Sequence, residues 1–193
     1  MCAVIAMYSG VWRKERTLIL LGLFYGIFFL GDLYWQLYIV FYDNATPEFY
    51  VSEFSWYSAY LFLLLLLIYV NVKYSEDYQF QLRPMFLLIP AFTIGMCAFF
   101  MQWGSYASNV VAAILMTGLI WHAVYGLTYL REHPGKGRER KLLYVATLLF
   151  CGIEYALWIS SCFWSGSIYY WLDIMLSASM ILFLPAVRKA VVR

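Results

Sequence analysis

Charged side chains are scarce in this chain of 193 residues. Asp, Glu, Lys and Arg make up 12% of it, against about 25% in a typical soluble domain. Hydrophobic residues make up 64%. So apolar a composition is not that of an ordinary water-soluble globule, and it predicts helices that lie in lipid.

Sequence motifs of the familiar enzyme classes are also missing. The chain has no H-E-x-x-H, no G-x-S-x-G and no phosphate-binding glycine loop. Its four cysteines form no C-x-x-C pair, and Cys and His do not cluster in the spacing of zinc ligands. We therefore expect no metal, no cofactor and no enzyme activity, and we expect no nucleic-acid partner.

What the sequence does contain is a series of long apolar segments. A helix needs about 20 mostly apolar residues to cross the hydrocarbon core of a membrane. The segments leave no room for a soluble domain, so the sequence predicts an all-α, polytopic membrane protein with a single domain over 1–193. Its six transmembrane helices would pair into three hairpins. The predicted spans are 17–42, 54–72, 84–103, 107–130, 141–164 and 167–187.

The basic residues orient these six spans. All thirteen Lys and Arg residues flank the spans on alternate sides: before the first, between the second and third, between the fourth and fifth, and after the sixth. With an even number of spans these positions share one face, which the positive-inside rule assigns to the cytoplasm. We predict that both termini are cytoplasmic and that the protein resides in a plasma (inner) membrane.

The first twelve residues are apolar but too few to cross a membrane. We expect no secretory signal here, because the basic residues Arg13, Lys14 and Arg16 follow the apolar run instead of preceding it. Two interpretations stay open: a segment that lies along the inner membrane surface, and a frayed terminus.

Three carboxylic acids lie inside the apolar segments: Asp32, Glu154 and Asp173. By helix rise, each lies about 20 to 24 Å from the basic residue at the cytoplasmic end of its span. That distance places all three in the outer third of a core about 30 Å thick. An ionised acid is costly there, so it is expected to face a cavity, share a proton or bind a cation. Hydrogen bonding to a neighbouring helix is the alternative, and for Asp173 so is the membrane–water interface.

Aromatic residues surround the level of the three acids. The aromatic belt at any membrane surface explains most of them. Tryptophan is nevertheless concentrated in the outer halves of the spans, and aromatic faces with carboxylates attract organic cations. The predicted ligand site consists of Asp32, Trp35, Trp56, Glu154, Trp158, Trp171 and Asp173.

One histidine, His122, lies in the middle of the fourth apolar segment. Because histidine titrates near neutral pH, His122 is a candidate proton relay. The alternative is a neutral imidazole that donates a hydrogen bond to a helix carbonyl.

These patterns favour a membrane protein that binds or transports a small molecule. An outward-facing aromatic and acidic pocket would take a small organic cation or a proton-coupled solute. The alternative is a membrane sensor or interaction module whose basic loop, 131–141, docks a cytoplasmic protein or holds anionic membrane lipid. An intramembrane enzyme that uses the carboxylates as acid and base is the third hypothesis.

Overall fold

The computed structural model describes residues 1–42, 51–74, 83–103, 105–133, 137–163 and 167–191. These residues form helices and short turns without a β-strand, which confirms the predicted all-α fold. A 3-10 turn, Arg138–Arg140, precedes the sixth α-helix. The α-helices of the described part are α1 (Cys2–Arg13), α2 (Arg16–Tyr42), α3 (Val51–Tyr74), α4 (Pro84–Phe100), α5 (Tyr106–Glu132), α6 (Lys141–Phe163), α7 (Ser167–Ile181) and α8 (Phe183–Val191).

Five stretches of helix within the described residues are long and apolar enough to cross a membrane. Four correspond to α2, α3, α5 and α6, and the fifth runs through α7 and α8. The exception is the predicted span 84–103. Its helix α4 has 17 residues and ends at Phe100, so it is about 25 Å long, short of a core about 30 Å thick. The protein is thus multi-pass and membrane-embedded, with five helical stretches of spanning length in the part that the structure describes.

The last span is interrupted between α7 and α8. Pro185 has no N–H, and in an unbroken helix its ring would clash with the carbonyl group four residues earlier, at Ile181. The chain responds with a turn at Leu182, whose N–H donates to the carbonyl oxygen of Ser179 over 3.1 Å. The proline at position 90 leaves α4 continuous.

The helices group into two compact units. The first comprises Met1–Leu66 and Phe80–Gly118, and the second Leu67–Gln79 and Leu119–Arg193. The boundaries fall inside α3 and α5, so each of these helices contributes to both units. The single domain over 1–193 stays a prediction.

Helix α1 packs antiparallel against the first half of α2, within the first unit. A Cβ atom placed on Gly10 would lie 2.8 Å from the side chain of Ile19, and one placed on Gly22 would meet Met7. The turn between the helices has Lys14 in the left-handed conformation, with φ 53°. The interpretation of this segment as a frayed terminus is therefore wrong, because it forms a regular, packed helix.

Close packing of this kind is what holds helices together in lipid. Hydrocarbon chains of a membrane are as apolar as leucine, so helix association depends on fit and on hydrogen bonds between helices. In the second unit, for example, Phe150 and Phe183 pack edge to face with their ring centroids 5.9 Å apart. The five segments between the predicted spans fall partly or wholly outside the described residues, at 43–50, 75–82, 104, 134–136 and 165–166.

Candidate functional site

Helices α2 and α3 run antiparallel where they touch in the first unit. Phe28 of α2 packs against Tyr60 of α3, with ring centroids 6.3 Å apart. Four residues further along α2, Asp32 meets Trp56, which lies four residues earlier in α3. Positions four apart share one helix face. The hairpin thus directs two of the predicted site residues at each other.

The carboxylate of Asp32 accepts a hydrogen bond from the indole Nε1 of Trp56, over 2.8 Å. The ring of Trp35 lies 6.3 Å from that of Trp56, tilted by 59°. Trp35 also stacks on Tyr38, with centroids 6.4 Å apart and an interplanar angle of 12°. Three predicted site residues, Asp32, Trp35 and Trp56, are therefore brought together, and the acid lies in a group of aromatic rings.

Gly31 makes room for this arrangement. A Cβ atom on Gly31 would lie 2.9 Å from both Cδ1 and Nε1 of the Trp56 indole, closer than a carbon atom can approach. Without a side chain at Gly31, the indole can lie against the backbone of α2 and reach the next residue, Asp32. In the sequence, Gly31 is notable only as a small residue inside an apolar helix.

A second acid lies on α3, one helical turn before Trp56. Glu53 belongs to the first turn of α3, about 4.5 Å along the helix axis from Trp56. The hydroxyl of Ser108, at the start of α5, donates to its Oε2 over 2.6 Å. Glu53 lies just before the predicted span 54–72 and is not among the predicted site residues. The sequence feature that could have indicated Glu53 is its spacing of three residues from Trp56.

Glu154 and Trp158 belong to the second unit. Glu154 is only 2% exposed, on the buried face of α6. Trp158 lies one turn later on the same helix and packs against Tyr155 with centroids 5.4 Å apart. The sequence correctly identified an acid inside the protein here. Its membership in one site with Asp32 stays a prediction.

Trp171 and Asp173 lie on α7, where both side chains are exposed. Trp171 is 66% exposed. The place of Asp173 in the ligand site stays a prediction, as does the alternative of an acid at the membrane–water interface. An exposed tryptophan nearby fits an aromatic belt equally well.

His122 belongs to a hydrogen-bond network with Asn71 and Tyr144, two residues that the sequence did not indicate. The amide Nδ2 of Asn71 donates to the carbonyl oxygen of His122 over 3.0 Å and lies 3.4 Å from its Nδ1. The hydroxyl of Tyr144 donates to Oδ1 of the same amide over 2.6 Å. Because an amide NH₂ group only donates, this arrangement suits a neutral imidazole with its proton on Nε2. The available signal was Asn71, an amide in an otherwise apolar stretch.

Two further residues position this network. Gly126 lies under the ring of Tyr144, and a Cβ atom at Gly126 would overlap that ring. Arg140, 5% exposed, donates from Nη1 to the carbonyl oxygen of Tyr74 over 3.2 Å. Its guanidinium carbon lies 5.3 Å from the centre of the Tyr74 ring. The basic loop predicted as a docking surface thus has one of its bases inside the protein.

Neither metal ligands nor similar proteins indicate a function for this chain. Among the described residues, no three His, Cys, Asp or Glu side chains gather in the way that a metal ion requires. Comparison of the chain with protein-family models, curated proteins and solved structures gives no match.

Proposed function

We propose that the protein is an integral membrane protein that binds a small organic cation between α2 and α3, as part of transport or of solute capture. The observation that carries this proposal is the hydrogen bond from Trp56 to the carboxylate of Asp32. An indole N–H is an uncharged donor, so it fixes the orientation of the carboxylate without neutralising its charge. Aromatic faces beside a carboxylate are the surroundings that favour an organic cation.

Topology supports access to this site from outside the cell. In our proposal six spans, including the short α4, cross a plasma (inner) membrane with both termini in the cytoplasm. All thirteen Lys and Arg residues then lie on one face, as the positive-inside rule requires. Asp32 and Trp56 lie toward the opposite face, and Glu53 lies about one turn nearer to that surface. An acid at the entrance would attract cations toward Asp32.

The test is ligand-induced thermal stabilisation of the purified full-length protein. The probes are choline and its uncharged carbon isostere, 3,3-dimethylbutan-1-ol. We expect choline to stabilise the protein and the isostere not to, because both cation–π attraction and charge pairing need the positive charge. Asp32→Asn should abolish the stabilisation, and Trp56→Phe should weaken choline binding by about tenfold.

Glu132→Gln is the matched control, because it removes the charge of an exposed acid on α5 that is not among the predicted site residues. It should leave the choline response intact. The proposal is wrong if the isostere stabilises as well as choline does, or if Asp32→Asn keeps the full response. Uptake of radiolabelled choline into vesicles that contain the protein then separates transport from capture.

A second candidate function is a sensor or interaction module that docks a cytoplasmic protein. It is favoured by the exposed bases at Arg131, Arg138 and Lys141, which remain available on the surface of the basic loop while Arg140 is buried. Cross-linking in native membranes tests it. A stoichiometric partner that is lost on charge reversal of these three residues would support docking, and uptake of solute without such a partner would exclude it.

A further inference from the structure

The register of α1 on α2 fixes where α1 lies. Gly10 is opposite Ile19, and Met7 is opposite Gly22. Between these two contacts the residue number falls by three on α1 and rises by three on α2. Helix α1 is therefore antiparallel to α2. Its other buried residue, Ala6, lies on the same face as Gly10.

This register is incompatible with a segment that lies flat on the membrane surface. Helix α2 is long and apolar enough to cross the membrane, and Arg16 is its first residue. A helix that runs antiparallel to the first half of α2 must enter the hydrocarbon region beside it. With 12 residues, α1 is about 18 Å long, so it reaches a little beyond the middle of a core about 30 Å thick.

The face of α1 that points away from α2 is apolar over its whole length. Val4, Tyr8, Val11 and Trp12 are all more than 60% exposed. Their spacing places them along one side of the helix. Four large apolar side chains on one face are costly in water and fit the acyl chains of a lipid.

The turn between the two helices is basic, in contrast to the apolar face of α1. Arg13, Lys14 and Arg16 are exposed, and Glu15 between them is half-buried. The turn thus has an excess of positive charge at the level where α2 enters the membrane. Bases at that level attract anionic phospholipid headgroups.

We propose that α1 and the first half of α2 form a re-entrant hairpin that reaches about the middle of the membrane, and that this hairpin binds an anionic phospholipid. The phosphate headgroup lies at the turn, on Arg13, Lys14 and Arg16, and the acyl chains cover the exposed face of α1. Two features indicate a lipid as the occupant. The basic turn complements an anionic headgroup, and α1 is joined to a helix that is long enough to span the membrane.

The first measurement is the depth in the membrane at which each end of α1 lies. Val4→Cys and Val11→Cys are labelled with bimane in a full-length, helical variant whose native cysteines are replaced by alanine. The protein is placed in phosphatidylcholine vesicles with phosphatidylglycerol. We expect bimane at residue 11 to be quenched more strongly by lipid with the doxyl group at carbon 5 than by lipid with it at carbon 12. Bimane at residue 4 should show the opposite preference. The two residues differ in depth by about 10 Å in a re-entrant helix. Equal preference for carbon 5 at both sites would mean a surface helix and would overturn the proposal.

Lipid selectivity at the turn is the second measurement. Quenching of the label at residue 11 is compared for doxyl-labelled phosphatidylglycerol and phosphatidylcholine. We expect a preference for phosphatidylglycerol that falls by about fivefold for each base removed, and is lost in Arg13→Gln/Lys14→Gln/Arg16→Gln. The control, Arg188→Gln/Lys189→Gln, removes two exposed bases elsewhere and should keep the preference.

Three results would contradict lipid binding at this turn. One is no preference for phosphatidylglycerol in the parent protein. Another is an equal loss in the control, which would indicate only general surface charge. The third is displacement of the labelled phosphatidylglycerol by soluble glycerol phosphate, which would indicate a site for free phosphate instead of a lipid.

Discussion

The hydroxyl of Tyr144 donates a 2.6 Å hydrogen bond to Oδ1 of Asn71, and both side chains are buried. Through its nitrogen the same amide donates to the carbonyl oxygen of His122. Asn71, His122 and Tyr144 belong to α3, α5 and α6. One amide therefore connects three helices of the second unit.

Removal of the Tyr144 hydroxyl should destabilise the second unit. Tyr144→Phe leaves a buried carbonyl oxygen on Asn71 without this donor, and we expect a loss of about 1 kcal/mol in the free energy of unfolding. The measurement is unfolding in mixed detergent micelles. Tyr170→Phe, which removes an exposed hydroxyl, is the control and should leave the free energy unchanged. Equal losses in the two variants would argue against the network.

A methyl group at Gly126 should be more harmful than one at Gly152. Gly126→Ala drives a Cβ atom into the ring of Tyr144, with an expected loss of about 1–3 kcal/mol. At Gly152 of α6 a Cβ atom would meet no atom within 4 Å among the described residues. Gly152→Ala is therefore expected to be neutral or to gain up to about 1 kcal/mol from better helix propensity. Thermal unfolding of both variants measures the difference.

The cation site offers a matched pair of glycines on α2. Gly31→Ala places a carbon atom 2.9 Å from the indole of Trp56, so Trp56 must move away from Asp32. We expect choline stabilisation to weaken by about tenfold, the loss predicted for Trp56→Phe. Gly26→Ala, whose Cβ atom would meet nothing within 4 Å in the described structure, should bind normally. Unchanged binding in Gly31→Ala would show that choline binding does not need the packing of Trp56 against α2.

Arginine at position 140 should not be replaceable by lysine. Arg140 donates to the Tyr74 carbonyl group and lies over the Tyr74 ring, and an ammonium group cannot reproduce a planar guanidinium in that place. We expect Arg140→Lys to lose about 1–2 kcal/mol of stability. Arg138→Lys changes an exposed base two residues earlier and should be silent. Chemical denaturation of both variants distinguishes a structural base from a surface one.

The helical class of the protein and most helix bounds could be predicted from the sequence alone. Hydropathy over windows of about 20 residues placed the first span at 17–42, where the structure has Arg16–Tyr42, and the fifth at 141–164, where it has Lys141–Phe163. A hydropathy pattern does not reveal where a helix loses its last turn. The third span was therefore predicted to reach residue 103, three residues beyond the end of α4.

Which side chains meet was decided by tertiary packing. The sequence identified Asp32 as an acid inside an apolar helix, but the indole that donates to it is 24 residues away, and its approach depends on Gly31. Asn71 was a weaker signal than an acid in lipid, and Tyr144 and Arg140 gave none, because one phenol or one base near a helix end is unremarkable in sequence. Hydropathy is a property of single segments, and it determined that the chain forms apolar helices. Packing depends on the register and rotation between segments, and only the tertiary structure decided those.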